Sequence, residues 1–112
     1  MITPKELFAL LSDETRLRCM LLLNKKEEIC VCEFCEVLKS TQPKISRHLA
    51  YLRKSGVVLD QRREQWVYYR LNHSLAIWIK QILSKILNVL KNEEPYKSDF
   101  EKLNRLRKKH NC

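Results

Sequence analysis

Apolar residues recur at helical spacing through the first part of the chain, and residues that can begin a helix precede each run. The first run follows the sequence TPKE, in which Thr3 can cap the helix, Pro4 suits its first position and Glu6 completes a capping box. The sequence SDE at residues 12–14 offers a second cap, and leucines then continue to the polar stretch at residues 24–28. The pattern therefore predicts two helices before the first polar break.

The middle of the chain predicts two further helices joined by a tight turn. A short strand is expected at Glu28–Cys30, a short helix over Cys32–Leu38 and a longer helix over Gln42–Ser55. Pro43 lies where the first turn of a helix tolerates proline. Gly56, the only glycine in the chain, follows the last helical residue, where a left-handed conformation is favoured.

Residues 57–71 change to β-branched and aromatic residues on both sides of the polar sequence DQRREQ, which predicts a β-hairpin with a charged tip. Because no Asn-Gly pair is present, we expect the connecting loop to be longer than two residues. Helices followed by a helix-turn-helix pair and a hairpin are typical of a winged helix-turn-helix. The predicted fold class is therefore mainly α with a small β-hairpin, which forms the wing.

A long helix is expected from Ser74 to about Glu93, with Asn72 as its cap. Its apolar residues cover more of the circumference than the single stripe of about 100° that one burial partner needs. We therefore predict a homodimer formed through the terminal helices. Beyond Pro95 the sequence is polar and basic with weak helical spacing, so we expect one domain over residues 1–95 and a basic, partly ordered tail over residues 96–112.

The composition bears on partners and location. The formal net charge of the 112 residues is +9, and the positive charge is concentrated in residues 39–71 and again in residues 96–112. A basic block inside a folded segment suits a polyanion such as DNA, although solvated surface lysine and arginine give the same count. No basic leader precedes a long apolar run, and no apolar stretch approaches the roughly 18 residues of a membrane span. We expect a cytoplasmic protein without membrane contact, whose five cysteines stay reduced.

The helix over Gln42–Ser55 has the properties of a DNA-recognition helix. Ile45, Leu49 and Leu52 form one narrow apolar seam on a helical wheel, and the opposite side is basic and rich in hydrogen-bond donors near its start. An ordinary solvated face is the alternative, and His48, which borders the seam, suits a structural role equally well. The candidate DNA contacts on this helix and the wing are Gln42, Lys44, Ser46, Arg47, His48, Tyr51, Arg62 and Arg63.

Three of the five cysteines lie in the sequence ICVCEFC at residues 29–35. Cys32 and Cys35 are about 60° apart on an ideal helix, so they can share an ion. Cys30 precedes that helix, and joining it to the other two should distort the first helical turn. The single CxxC without a nearby histidine argues against structural zinc, and no βαβ pattern or C-x5-R sequence supports a redox enzyme or a phosphatase. A thiophilic ion of low coordination number, As(III) or Sb(III), fits best; cadmium, lead, zinc and simply buried cysteines remain alternatives.

The sequences LFALLSDETRLRCMLLL, ICVCEFC and QPKISRHLAYLRKSGVVLDQRREQWVYYRL together resemble the ArsR/SmtB family, in particular its arsenical-resistance repressors. The resemblance implies a non-enzymatic homodimer that binds double-stranded operator DNA without a cofactor. It also implies that As(III) or Sb(III) releases the DNA by binding the thiolates of Cys30, Cys32 and Cys35. A sensor of cadmium, lead or zinc through the same thiolates, or a thiol redox-sensing regulator, remains open. The wing tip lacks the glycine often found there, and the last long helix offers only His73 toward a second metal site.

Overall fold

The computed structural model describes residues 2–106. In chain order its elements are α1 (Pro4–Leu11), α2 (Glu14–Lys25), β1 (Ile29–Cys30), α3 (Val31–Leu38), α4 (Gln42–Ser55), β2 (Val58–Arg63), β3 (Trp66–Leu71), α5 (Ile77–Leu90) and α6 (Tyr96–Leu106). Among these, no helix is long and apolar enough to cross a membrane.

Local capping fixes the first two helices where the sequence predicts them. The Glu6 amide donates to Thr3 Oγ1 at 3.2 Å and the Thr3 amide donates to Glu6 Oε1 at 2.8 Å, which completes the capping box of α1. The Arg16 amide donates to Asp13 Oδ1 at 3.0 Å at the start of α2. Gly56 ends α4 with a φ of 90°, a left-handed conformation in which a Cβ atom is unfavourable.

The core lies between α2, α3 and α4, with α1 and α5 packed beside them. Phe34 of α3 is fully buried, as are the three seam residues Ile45, Leu49 and Leu52 of α4. Burial of the seam fixes the rotation of α4, because the side opposite the seam must then face solvent. The turn between α3 and α4 begins at Lys39, which has a φ of 51°.

The β-sheet has three antiparallel strands in the order β1-β3-β2. β1 pairs Ile29 with Tyr69 and Cys30 with Tyr68, and so joins the segment before α3 to the wing. The prediction of a wing loop longer than two residues is wrong. Pairing continues to Arg63 and Trp66, and the two residues between them form the turn, with Glu64 at a φ of 58°.

The predicted bounds of the last long helix are also wrong, because α5 begins at Ile77 and ends at Leu90. Asn72 does not cap this helix. Its Oδ1 accepts from the Ser74 amide at 2.9 Å and its Nδ2 donates to the Gly56 carbonyl at 2.9 Å. The side chain therefore closes a local turn and ties it to the end of α4, which delays the helix by one turn.

Residues 96–106 of the predicted tail form α6, which packs against α2 and α3. Tyr96, Phe100 and Leu103 are buried. Asp99 is only 1% exposed and accepts two hydrogen bonds from the Arg18 guanidinium, both at 2.8 Å. This part of the segment therefore belongs to the packed structure. The division at residue 95 stays a prediction, and residues 107–112 lie outside the described residues.

Candidate thiol site and nucleic-acid interface

Cys30 occupies the junction between β1 and α3. It is the N-cap of α3, with an extended backbone at φ −77° and ψ 149°. Its amide donates to Glu33 Oε1 at 2.8 Å, and Lys26 Nζ lies 3.5 Å from Glu33 Oε2. Glu33 is only 5% exposed, so its hydrogen bond with the Cys30 amide is shielded from water. The start of α3 and the position of Cys30 are thus fixed by the same carboxylate.

The sulfurs of Cys30 and Cys32 lie 3.3 Å apart. Thiolates that share one soft ion through bonds of about 2.3 Å must lie within roughly 4 Å of each other, so this pair already has a suitable spacing. The expectation that joining Cys30 to both other cysteines distorts the first turn of α3 stays a prediction, because this spacing concerns Cys30 and Cys32 alone. The extended N-cap conformation turns the Cys30 side chain toward α3 while the helix stays regular from Val31.

Cys35 lies one helical turn further along α3 and lines the same groove as the other two cysteines. Within residues 2–106, however, no three His, Cys, Asp or Glu side chains are already arranged to hold a metal ion. The structure thus brings Cys30 and Cys32 together and leaves Cys35 nearby. The three soft donors fit a thiophilic ion in chemistry, and a shift of the first turns of α3 would be needed to complete the set.

Protonation distinguishes these thiols from reactive cysteines. Burial raises the pKa of Cys30, and the Glu33 carboxylate adds to this effect. Burial also raises the pKa of Cys35, with a further contribution from Cys30. Cys19 is fully buried in α2, and burial raises its pKa to about 12. Cys19 is therefore a core residue, and Cys30 and Cys35 are mainly protonated at neutral pH.

The cysteines share a groove of about 560 Å³ with candidate DNA contacts. Gln42 and Ser46 line it from α4, and Arg62 lines it from the wing. β1 creates this arrangement because it pairs with β3 and so places the start of α3 beside the hairpin. A change at the thiols therefore occurs beside the DNA-reading residues.

The candidate contacts on α4 differ in exposure. Gln42, Lys44 and Arg47 are exposed and Ser46 is half-buried. Tyr51 is 49% exposed, and the Arg16 guanidinium lies 4.4 Å from the centre of its ring. The first turns of α4 thus present polar and basic side chains to solvent.

His48 fits the structural alternative better than the other candidates. Its side chain is 16% exposed, and its Nδ1 lies 3.9 Å from Asp13 Oδ1 at the cap of α2. Because the His48 ring is largely covered and faces α2, little of its surface is left to contact the edge of a DNA base.

The wing arginines are both exposed on β2, and Arg63 is also engaged within the chain. Its Nη2 donates to Glu28 Oε1 at 2.5 Å, and its guanidinium carbon lies 3.9 Å from the centre of the Tyr68 ring. A second ion pair, Arg53 Nη1 to Asp60 Oδ2 at 3.0 Å, joins the end of α4 to β2. Sequence reasoning missed Glu28, Arg53 and Asp60, because neither of these ion pairs has a local sequence signal.

An apolar surface remains on α1 and α5. Phe8 is 55% exposed, Ile77 is 68% exposed and Val89 is 72% exposed. Several other side chains of α5 are only partly covered by the core: Trp78, Ile82, Ile86, Leu87 and Leu90. Exposed apolar side chains gathered on two helices are typical of a protein-protein contact.

Comparisons with known proteins agree with this architecture. The family described as "Bacterial regulatory protein, arsR family" matches residues 13–59. The chain is 54% identical over 87 residues to the arsenic resistance transcriptional regulator ArsR2 of Pseudomonas putida, a match that covers 78% of this chain and 76% of that protein. It is 48% identical over 84 residues to the arsenical resistance operon repressor of Escherichia coli, which covers 75% and 72% respectively.

Among solved structures, HlyU from Vibrio cholerae matches with a TM-score of 0.67 and 27% identity, covering 75% of this chain and 87% of that chain. Together with the element order, these matches confirm the predicted winged helix-turn-helix fold class.

Proposed function

Since the chain belongs to the ArsR family of bacterial regulatory proteins, we propose that it is a metalloid-responsive transcriptional repressor whose inducer is held by Cys30, Cys32 and Cys35. It binds operator DNA in the cytoplasm without a cofactor and leaves the DNA when As(III) or Sb(III) binds. The family consists of transcriptional regulators, so the chain is not an enzyme.

The single observation that supports this proposal most is the position of the Cys30 and Cys32 sulfurs. The Cys30 and Cys32 sulfurs are 3.3 Å apart, in the groove that Gln42 and Ser46 also line. Trivalent arsenic and antimony are soft ions that form a low pyramid on three sulfurs and need no fourth ligand. Cys35, one turn further along α3, supplies the third sulfur, so capture of the ion requires Cys35 to approach.

The exposed face of α4 supports the DNA half of the proposal. The side chains of Gln42, Lys44 and Arg47 can donate to base edges or phosphates, and Arg62 and Arg63 extend the basic surface onto the wing. The net charge of +9 favours a polyanion. The outline matches a winged helix that inserts α4 into the major groove.

The exposed apolar side chains of α1 and α5 support a homodimer. A contact between two copies would cover Phe8, Ile77 and Val89, which are otherwise unfavourably exposed. In a dimer the two α4 helices read half-sites about one DNA turn apart, roughly 34 Å. A change in the position of α4 relative to the wing then alters the contacts with both half-sites at once.

The test measures operator binding by fluorescence anisotropy under reducing conditions, with and without arsenite. We expect tight binding that arsenite weakens. The double variant Cys32→Ser with Cys35→Ser should bind the operator like the unmodified protein and should not release it with arsenite. Cys19→Ala, which removes a core thiol outside the groove, is the matched control and should still release. A double variant that releases normally would exclude these thiols as the inducer site.

The same 3.3 Å spacing favours a second candidate, a redox sensor in which Cys30 and Cys32 are oxidised. One observation weighs against it: the raised pKa of Cys30 lowers its thiolate fraction, and the thiolate is the species that an oxidant attacks. Peroxide in place of arsenite separates the two candidates. Release by peroxide alone would favour the sensor of oxidants, and release by arsenite alone would favour the metalloid sensor.

A further inference from the structure

Four residues connect the thiol site to the wing through consecutive contacts: Cys30, Glu28, Arg63 and Tyr68. Glu28 lies two residues before Cys30 in the chain, and its carboxylate accepts from Arg63 Nη2 at 2.5 Å. The Arg63 guanidinium lies over the Tyr68 ring at 3.9 Å. Tyr68 is the partner of Cys30 in the pairing of β1 with β3. The backbone around Cys30 therefore contacts the wing both through the sheet and through an ion pair.

We propose that the Glu28–Arg63 ion pair, stacked on Tyr68, transmits inducer capture at Cys30 to the wing, so that Glu28 is a positioning residue of the response. This inference rests on the proposed function. It assigns to Glu28, an acidic residue outside both the thiol set and the DNA-reading surface, a role in regulation.

The shortness of β1 favours transmission of a movement from Cys30 to the wing. β1 contains two residues and has two pairs with β3, so a shift of Cys30 is not absorbed by a longer ladder. Because Cys30 is also the N-cap of α3, recruitment of Cys35 acts on the same residue from the helix side. The displacement passes along two peptide units to Glu28 and from its carboxylate to Arg63.

Arg63 is well placed to convert that displacement into a change in DNA binding. It is the last residue of β2, directly before the two-residue tip, and it follows Arg62, which lines the groove. A guanidinium has five donors in a fixed fork, so Arg63 can hold Glu28 and still direct donors toward a phosphate. Its orientation then depends on where Glu28 and Tyr68 hold it.

The structure offers a matched control next to Glu28. Glu27 also has a carboxylate paired to a basic side chain, with Glu27 Oε2 3.0 Å from His73 Nε2. His73 lies beyond β3 in the segment that leads to α5, so this pair does not reach the wing tip. Glu27→Gln and Glu28→Gln therefore make the same change in charge at adjacent positions, and only one of them acts on Arg63.

The experiment compares the ratio of operator affinities without and with saturating arsenite. Any general effect of one lost negative charge on DNA binding cancels in this ratio, which measures the coupling alone. For Glu28→Gln we expect arsenite to bind with unchanged stoichiometry and the ratio to fall by about two- to fivefold, the range that a partly exposed ion pair can support. Glu27→Gln should keep the ratio of the unmodified protein.

The outcomes separate this inference from the proposed function. If arsenite does not weaken operator binding by the unmodified protein, the proposed function fails. If the unmodified protein responds and Glu28→Gln responds with the same ratio, the proposed function stands and the transmission through Glu28 is excluded. Equal reductions of the affinity ratio in Glu27→Gln and Glu28→Gln would also exclude transmission through Glu28, because the loss of one negative charge would then explain the effect.

A second readout needs no DNA. Trp66 pairs directly with Arg63 across the hairpin, and in a Trp78→Phe background its fluorescence reports on the wing. We expect arsenite to change the Trp66 emission, and the change to be smaller when Glu28→Gln is added. An identical emission change with and without Glu28 would overturn the inference independently of any DNA measurement.

Discussion

The proton balance of inducer capture gives a prediction that distinguishes a metalloid from a divalent metal at the same thiols. Arsenous acid is uncharged at neutral pH and has three hydroxyl groups. When three thiols replace them, each thiol proton leaves with one hydroxyl as water, three As–O bonds break and three As–S bonds form. A divalent cation has no hydroxyl to take up these protons, so every protonated thiol that binds it releases one proton to solvent.

The protonation states in the structure set the size of the effect. Burial raises the pKa of Cys30 and of Cys35, so both thiols are protonated from pH 6 to pH 8. The affinity for cadmium should therefore rise by about two to three orders of magnitude per pH unit over that range, one order for each thiol that must lose its proton. The affinity for arsenite should change by less than about threefold.

Isothermal titration of the reduced protein at pH 6, 7 and 8, in two buffers of different ionisation enthalpy, measures the affinity and the number of protons released. Arsenite should release none, and cadmium should release two or three per ion. A steep pH dependence for arsenite would show that the thiols bind it as thiolates already formed, and would contradict the raised pKa values. A flat dependence for cadmium would contradict them equally.

Three further predictions concern other parts of the molecule. Arg18→Ala leaves Asp99 buried without its guanidinium partner and should lower the free energy of unfolding by about 2 kcal/mol. The loss is smaller than for a fully buried ion pair because the Arg18 side chain is 19% exposed. Urea titration at fixed protein concentration measures it. Gly56→Ala should lower the free energy of unfolding by about 1 kcal/mol in the same assay. The whole effect comes from the φ of 90°, because a Cβ atom at this position meets no atom within 4 Å. Gly56→Asn should lower it by less, because asparagine tolerates this conformation better. Arg47→Ala should weaken operator binding about tenfold or more, whereas Lys97→Ala, the same loss of charge on α6, should change it by less than about threefold.

Sequence reasoning was accurate where the determining contacts are local. The starts of α1 and α2 and the end of α4 depend on contacts between residues within a few positions of each other, such as the reciprocal hydrogen bonds of Thr3 and Glu6. The apolar seam of α4 was likewise readable from spacing, and Ile45, Leu49 and Leu52 are all fully buried. Local signals of this kind fixed the order of the helices and the rotation of α4.

The errors occur where a distant partner or an unusual conformation decides the structure. Glu64 adopts a φ of 58° in the wing turn, although the sequence has no glycine or asparagine there to signal it. Asn72 looks like a helix cap, but its amide group binds the Gly56 carbonyl 16 residues away. α6 has weak apolar spacing and is held in part by Arg18, which is 81 residues from Asp99 in the chain.

For the candidate site, the cysteines could be proposed from the sequence, but their surroundings could not. The soft character of three clustered cysteines follows from composition, and the place of Cys30 just before α3 was visible in the sequence. The groove depends on the pairing of Cys30 with Tyr68, a contact 38 residues apart that no periodicity indicates. The nearness of the thiols to the wing is therefore a result of the fold.

The packing of α3 bears on how inducer capture can propagate. Phe34 and Val37 are fully buried, and α6 packs against α3 with buried Tyr96, Phe100 and Leu103 on its own side. Rotation of α3 as a rigid body would expose or compress these side chains, at a cost of several kcal/mol in a close-packed core. The side of α3 that faces the groove is less constrained, because Val31, Cys32 and Cys35 are only half-buried and line the groove. Movement of this side at the start of α3 acts first on Cys30 and β1, so the wing should respond before the body of α4 does.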